Sequence, residues 1–119
     1  MTYEKFNIFC ASLTAATYVV QWGGAHVWKV GGKIFAIGGW QPEDKPAFSF
    51  KTSDFDFEVL RGQPGFRPAP YLASRGMKWI QATDDDSELE ELLRESHRLV
   101  SLGLTKKLQG ELGLDQAGQ

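Results

Sequence analysis

At 119 residues, with 42% hydrophobic and 13% aromatic content, the chain is too apolar for a disordered segment and too short for two domains with separate cores. No apolar run approaches the roughly 18 residues of a membrane span, and Met1-Thr-Tyr-Glu-Lys-Phe6 lacks the basic and apolar regions of a signal peptide. A single cysteine, Cys10, excludes an internal disulfide and fits a reducing compartment, so a cytoplasmic location without membrane contact is expected.

Thr2 can cap a first helix running to about Leu13, because Tyr3, Phe6, Phe9, Cys10 and Leu13 recur at spacings of three and four, with Glu4, Lys5 and Asn7 on the other face. Thr17-Tyr-Val-Val, within Ala15 to Gln21, is β-branched and aromatic enough for a first strand ending near Gly23-Gly24. The strongest local signal follows. His26 to Val30 and Lys33 to Ile37 are apolar runs joined by Gly31-Gly32, which supply the positive φ values of a two-residue hairpin turn. A regular register pairs Val30 with Lys33, Trp28 with Phe35 and His26 with Ile37 on one face, and Lys29 with Ile34 and Val27 with Ala36 on the other. Lys29 and Lys33 therefore leave opposite faces, and any duplex contact by the hairpin is expected from its tip.

After a polar, proline-bounded loop at 41–46, Ala47-Phe-Ser-Phe-Lys-Thr alternates as a strand, with Phe48 and Phe50 inward and Ser49 and Lys51 outward. Ser53 and Asp56 resemble a capping box that opens a short helix carrying Phe55, Val59 and Leu60, with Gly62 placed to end it. Residues 63–76 hold three prolines and two glycines and read as a long loop. Met77 to Ala82 is a last strand. Ser87 and Glu90 form a capping box before the clearest helix, whose buried stripe is Leu89, Leu92, Leu93, Ser96, Val100 and Leu104. From about Gly113 the Gly- and Gln-rich tail is expected to fray, leaving one domain over residues 1–112. The order α-β-β-β-β-α-β-α indicates an α+β fold: an antiparallel sheet of about five strands with helices on one face.

Charge is distributed unevenly around a net −2. Residues 1–80 carry nine Lys or Arg against six Asp or Glu, and residues 81–119 four against nine. Between Glu58 and Asp84 there is no acid, while Arg61, Arg67, Arg75 and Lys78 lie among Phe66, Tyr71 and Trp79. Hairpin and late loop together make a candidate nucleic-acid surface of Lys29, Lys33, Arg67, Tyr71, Arg75 and Lys78, since phosphate neutralisation by Lys and Arg dominates such binding. The same cations would equally guard a sheet edge or solvate a loop. Trp28, Trp40, Tyr71 and Trp79 could stack on bases, line a pocket, or simply fill the core; an aromatic such as Trp28 on an uncovered sheet face would mark a partner surface. His26 and His97 lack companions at ligand spacing, Cys10 sits on an apolar helix face, and the acids around Asp84-Asp-Asp86 suit a helix N-terminus. No catalytic, cofactor or metal constellation is visible.

The combined pattern resembles the MmcQ/YjbR family. The resemblance rests on the short first helix, Val27-Trp-Lys-Val-Gly-Gly-Lys-Ile-Phe-Ala36, Pro64-Gly65, Arg75 to Trp79, the closing helix and Thr105-Lys106-Lys107. It implies a CyaY-like α+β fold and DNA binding in a double-wing mode, with no catalytic residues attached. One departure is the late loop: the family pattern Asn-x-Arg-x-Trp is here Ala73-Ser-Arg-Gly-Met-Lys-Trp79. The iron binding that such a fold suggests is not expected, because the first helix carries only Glu4. A protein-interaction module using the open sheet face is the alternative to DNA binding, and a small-molecule pocket beneath the late loop is a third reading.

Overall fold

The computed structural model describes residues 1–40, 46–83 and 88–114. Thr2 caps α1 (Tyr3–Ala11) by accepting the Lys5 N–H at 3.1 Å, and the helix buries Phe6 and Cys10. Four strands follow, β1 (Ala16–Gln21), β2 (Ala25–Val30), β3 (Lys33–Gly38) and β4 (Phe48–Lys51). Ser53 caps α2 (Asp54–Leu60), β5 (Phe66–Pro68) and β6 (Trp79–Ala82) flank a short 3-10 turn at Ala73–Arg75, and α3 (Leu89–Leu102) and α4 (Lys106–Glu111) complete the chain. The sheet is antiparallel throughout, in the order β1-β2-β3-β4-β6-β5. No helix among the described residues is long and apolar enough to cross a membrane.

The α+β class holds, with helices on one face, but the sheet has six strands. The added one is β5, in a stretch expected to be all loop. Prolines argue against a central strand, yet β5 lies at the edge, pairing only with β6 (Phe66 with Ala82, Pro68 with Ile80), and an edge position leaves one side of the backbone without a ladder to complete. In α2 the inward residues are Phe57 and Leu60; Phe55 and Val59 are exposed. At the C-terminus, Leu114 lies in the stretch expected to fray but is buried and donates its N–H to Gln109 O at 2.8 Å. The Ser87 to Glu90 capping box, the Asp84–Asp86 acids and most of the 41–46 loop lie outside the described residues.

The hairpin register is regular only near the turn. Val30 faces Lys33 and Lys29 faces Ile34, but Trp28 then faces Ala36 and His26 faces Gly38, so Phe35 is an extra residue on β3. Such a bulge turns two successive side chains to the same side. Phe35 and Ala36 both enter the main core, between the sheet and α1, α2 and α3. Two apolar neighbours gave the binary pattern no way to signal it. Trp28 belongs to this same helix-covered layer, only 6% exposed, its indole N–H donating to Asn7 Oδ1 at 2.9 Å; it is not on the open face. There, a second cluster of Ala25, Val27, Ile37 and Trp79 is covered by Ala69 and Leu72 of the late loop, so Ser49 is buried too.

Past the bulge, β3 and β4 no longer bond directly. The Lys51 N–H donates to Ser96 Oγ at 2.8 Å, and the Ser96 hydroxyl donates to Phe35 O at 2.6 Å, so a side chain of α3 completes the ladder. The neighbouring His97 ring packs edge-on against Phe35, and its Nε2–H donates to Thr14 O at 2.8 Å. Burial holds this imidazole below its ordinary value of 6.5, against the smaller opposite pull of the Thr14 carbonyl.

Two outcomes follow from these contacts. Ser96→Ala leaves a buried N–H and C=O without their shared partner and should destabilise the fold by about 1–3 kcal/mol in urea unfolding. Folded His97 takes up a proton less readily than unfolded His97, so its contribution to stability is full above about pH 6.5 and is lost as pH falls below that value. Urea midpoints measured at about pH 7.5 and about pH 5.5 should therefore fall more for the wild type than for His97→Gln, which keeps the amide donor without the titration. Equal falls in the two proteins would remove His97 as the cause.

Candidate functional site

The six residues expected to contact nucleic acid occupy several places. Lys29, half-buried, and Lys33, exposed, flank the hairpin turn, but the tip is not a free wing: a Cβ on Gly31 would lie 2.6 Å from Leu104 Cδ1, so the connection after α3 backs the turn. Arg67 runs along the open face, its guanidinium donating to Gln81 Oε1, while Gln81 Nε2 donates to Trp40 O at 3.1 Å. Lys78 and Arg61 both sit over the Phe57 ring, at 5.0 and 5.2 Å. Only Arg75 joins Tyr71, lying over its ring at 5.5 Å and donating to its hydroxyl at 3.1 Å.

What does converge is aromatic. Trp22, Trp40, Tyr71 and Trp79, from four separate segments, line a groove of about 530 Å³ on the open face, with Ile34, Ile37, Leu72 and Met77 beneath and beside them. Trp22 and Trp40 lie 5.1 Å apart, centroid to centroid, and Trp40 meets Tyr71 edge-on at 6.0 Å. Trp22 and Tyr71 are each about half exposed, and both have left-handed backbone, with φ of 51° and 70°. For a bulky side chain that conformation costs roughly 1–2 kcal/mol. Tyr71 is the centre of a three-residue turn closed by Leu72 N–H to Pro70 O at 2.8 Å, the rare γ-turn class with positive φ. Of the three non-glycine residues with positive φ among the described residues, Trp22 and Tyr71 carry the most exposed rings of the groove, and the third, Ala15, lies in the connection between α1 and β1.

The groove is polar at one end only. It runs along β3, and the turn that carries Trp22 lies at the Gly38 end, because His26 pairs with Gly38 and Gln21 with Ala25. At the other end, Lys33 opens β3 and Lys51 closes the antiparallel β4, and both line the groove beside Leu99, Val100 and Gly103 of the α3 terminus. No carboxylate lines it among the described residues. Of these residues, Trp40, Tyr71, Trp79 and Lys33 were visible as candidates in the sequence; Trp22, Met77 and Lys51 were not. An aromatic residue directly before Gly23-Gly24, in a turn, was the one available signal.

The remaining reactive groups lie in the helix-covered layer and are engaged. Tyr18 Oη and Asn7 Nδ2 both lie within hydrogen-bond distance of His26 Nδ1, at 2.7 and 3.3 Å, and Asn7 Oδ1 accepts from the Trp28 indole. Burial pushes the Cys10 thiol far above its ordinary range, which leaves it unreactive. Among the described residues no three His, Cys, Asp or Glu side chains gather as a metal site.

Comparison with known proteins bears on the whole chain. The crystal structure of Deinococcus radiodurans protein DR2400, a DUF419 domain, matches with a TM-score of 0.80 and 27% identity, over 94% of this chain and 88% of that one. A crystal structure from Pseudomonas syringae matches with a TM-score of 0.66 over 83% of this chain and 98% of that one, at 17% identity, a likeness of fold alone. No curated protein sequence matches. A family model described as YjbR covers residues 11–99, from the end of α1 through most of α3, and the chain belongs to the YjbR family.

Proposed function

We propose that the chain acts by binding rather than by covalent chemistry, and that its working surface is the aromatic groove on the open face of the sheet. The observation that carries this reading is the convergence of Trp22, Trp40, Tyr71 and Trp79, two of them in strained backbone, on one concavity. Its size falls within the range of about 300–1,000 Å³ usual for small-molecule sites. Among the described residues its charged and hydroxyl side chains are two lysines and a tyrosine already engaged by Arg75, while the histidines and the cysteine belong to the other layer. Two-dimensional NMR of the labelled protein with small aromatic fragments tests the reading. Shifts should centre on Trp22, Ile34, Ile37 and 71–79 and vanish in Trp22→Ala. Fragments that bind elsewhere, or not at all, defeat it.

A nucleic-acid reading has one observation in its favour. Lys29 and Arg75 lie on or beside the same open face as the aromatic rings, and Lys33, although it leaves the hairpin on the other side, lines the groove with Lys51, the combination that proteins use to hold unstacked bases. With the hairpin tip backed by Leu104, the contact in this reading is a splayed base in the groove and not a wing in a duplex. Anisotropy of a labelled single strand should then show saturable binding, tighter than to duplex, with log affinity falling against log salt by about 0.7 per phosphate contact. Absence of saturable binding to either strand form at low salt removes this reading and leaves the groove.

A further inference from the structure

We propose that the groove takes a small ligand made of a flat aromatic ring system and one anionic group, carboxylate or phosphate, with the ring at the Trp22 and Trp40 end and the anion at Lys33 and Lys51. This rests on the groove being the binding surface and adds the chemical class of what it holds.

The assignment follows from how the lining is distributed. At the Trp22 end the accessible surface is indole and phenol, with Trp22, Trp40 and Tyr71 tilted around one space. At these separations the three rings contact one another and form one aromatic wall, on which a flat guest would stack or make edge contacts at centroid separations of about 4.5–7 Å. An aliphatic guest would gain burial but none of that geometry. At the opposite end, beyond the last β3–β4 pair of Ala36 with Phe50, Lys33 at the start of β3 and Lys51 at the end of β4 both line the groove, although they are far apart in sequence. They line it together with Leu99, Val100 and Gly103 at the end of α3, and no acid lines the groove among the described residues. A cationic group in the ligand would find no carboxylate among the described residues that line the groove. The span of β3 between the two ends is about 17 Å at roughly 3.3 Å per residue, which admits a fused two- or three-ring system with its anionic substituent.

Isothermal titration calorimetry of the full chain with three probes tests the proposal: naphthoate (ring and anion), naphthol (ring alone, neutral at neutral pH) and inorganic phosphate (anion alone). Naphthoate should bind with one-to-one stoichiometry about tenfold or more tighter than naphthol, the scale of one charge-assisted contact, and phosphate should show no saturable binding. Replacing both lysines, Lys33→Gln with Lys51→Gln, should bring naphthoate down to the naphthol level and leave naphthol unchanged, whereas Trp22→Ala should weaken both ring-bearing probes. Equal affinities for naphthoate and naphthol, both lost in Trp22→Ala, would overturn the anionic class and keep the groove. Ring-bearing probes that do not bind, or that bind Trp22→Ala as well as wild type, would overturn the groove reading and this inference together. Thermal unfolding of each variant reports whether the fold is intact, and Trp22→Phe, which keeps a ring in the turn, should retain most of the affinity that Trp22→Ala loses.

Discussion

Between β3 and β4 the ladder is continued by the hydroxyl of Ser96, which stands where the Lys51 N–H and the Phe35 carbonyl would otherwise meet. The rest of the architecture is organised around that substitution. A bulge at Phe35 sends two neighbouring side chains into the core and pushes the two strands apart beyond the Ala36–Phe50 pair. Once parted, their backbone groups need another partner, because buried donors and acceptors are costly to leave unmet. Ser96 is short enough to bring α3 down onto the gap. His97, next along the helix, fastens it to Thr14 in the connection between α1 and β1. The helix is held at two points on adjacent residues, which sets both its height along the sheet and its rotation.

Features with a local cause were legible in the sequence. The Gly31-Gly32 turn, the caps at Thr2 and Ser53, and the stripe from Leu89 to Leu104 each declare themselves within a few residues. The bulge did not, since Phe35 and Ala36 are both apolar and a one-residue shift in register changes no letter of the pattern. Edge strand β5 was hidden by prolines that matter less at an edge, and Phe57 by a short helix that is apolar on more than one side. The site divides in the same way. Arg67, Arg75 and Lys78 are close in sequence, yet strand alternation and the turn at 73–75 send them to Gln81, Tyr71 and Phe57. Lys33 and Lys51, eighteen positions apart, are brought to one end because β3 and β4 run antiparallel.

The two faces of the sheet are finished by different means. Helices cover one, with side chains such as Phe6, Phe57 and Leu93 in register with the strands. A loop rich in proline covers part of the other, reaching Val27, Ile37 and Trp79 through Ala69 and Leu72. Coverage by a loop is incomplete by nature, and the groove is the space it leaves between itself, the β1–β2 turn and the end of α3. Left-handed backbone at Trp22 and Tyr71 belongs to the same construction: each lies in a turn at the rim, and the turn is what aims the ring inward.

The four tryptophans are divided between these layers, one against three. Trp28 is sealed under α1 with its indole bonded to Asn7, whereas Trp22, Trp40 and Trp79 surround the groove, from half exposed to buried. The protein therefore contains its own optical record of the two halves of its structure. Emission from half-exposed Trp22, at the red side of the spectrum, follows events at the rim of the groove, while the blue component, from buried Trp28 and Trp79, reports whether the two layers are still closed. A change confined to the red side marks an event in the groove; a change in both marks unfolding.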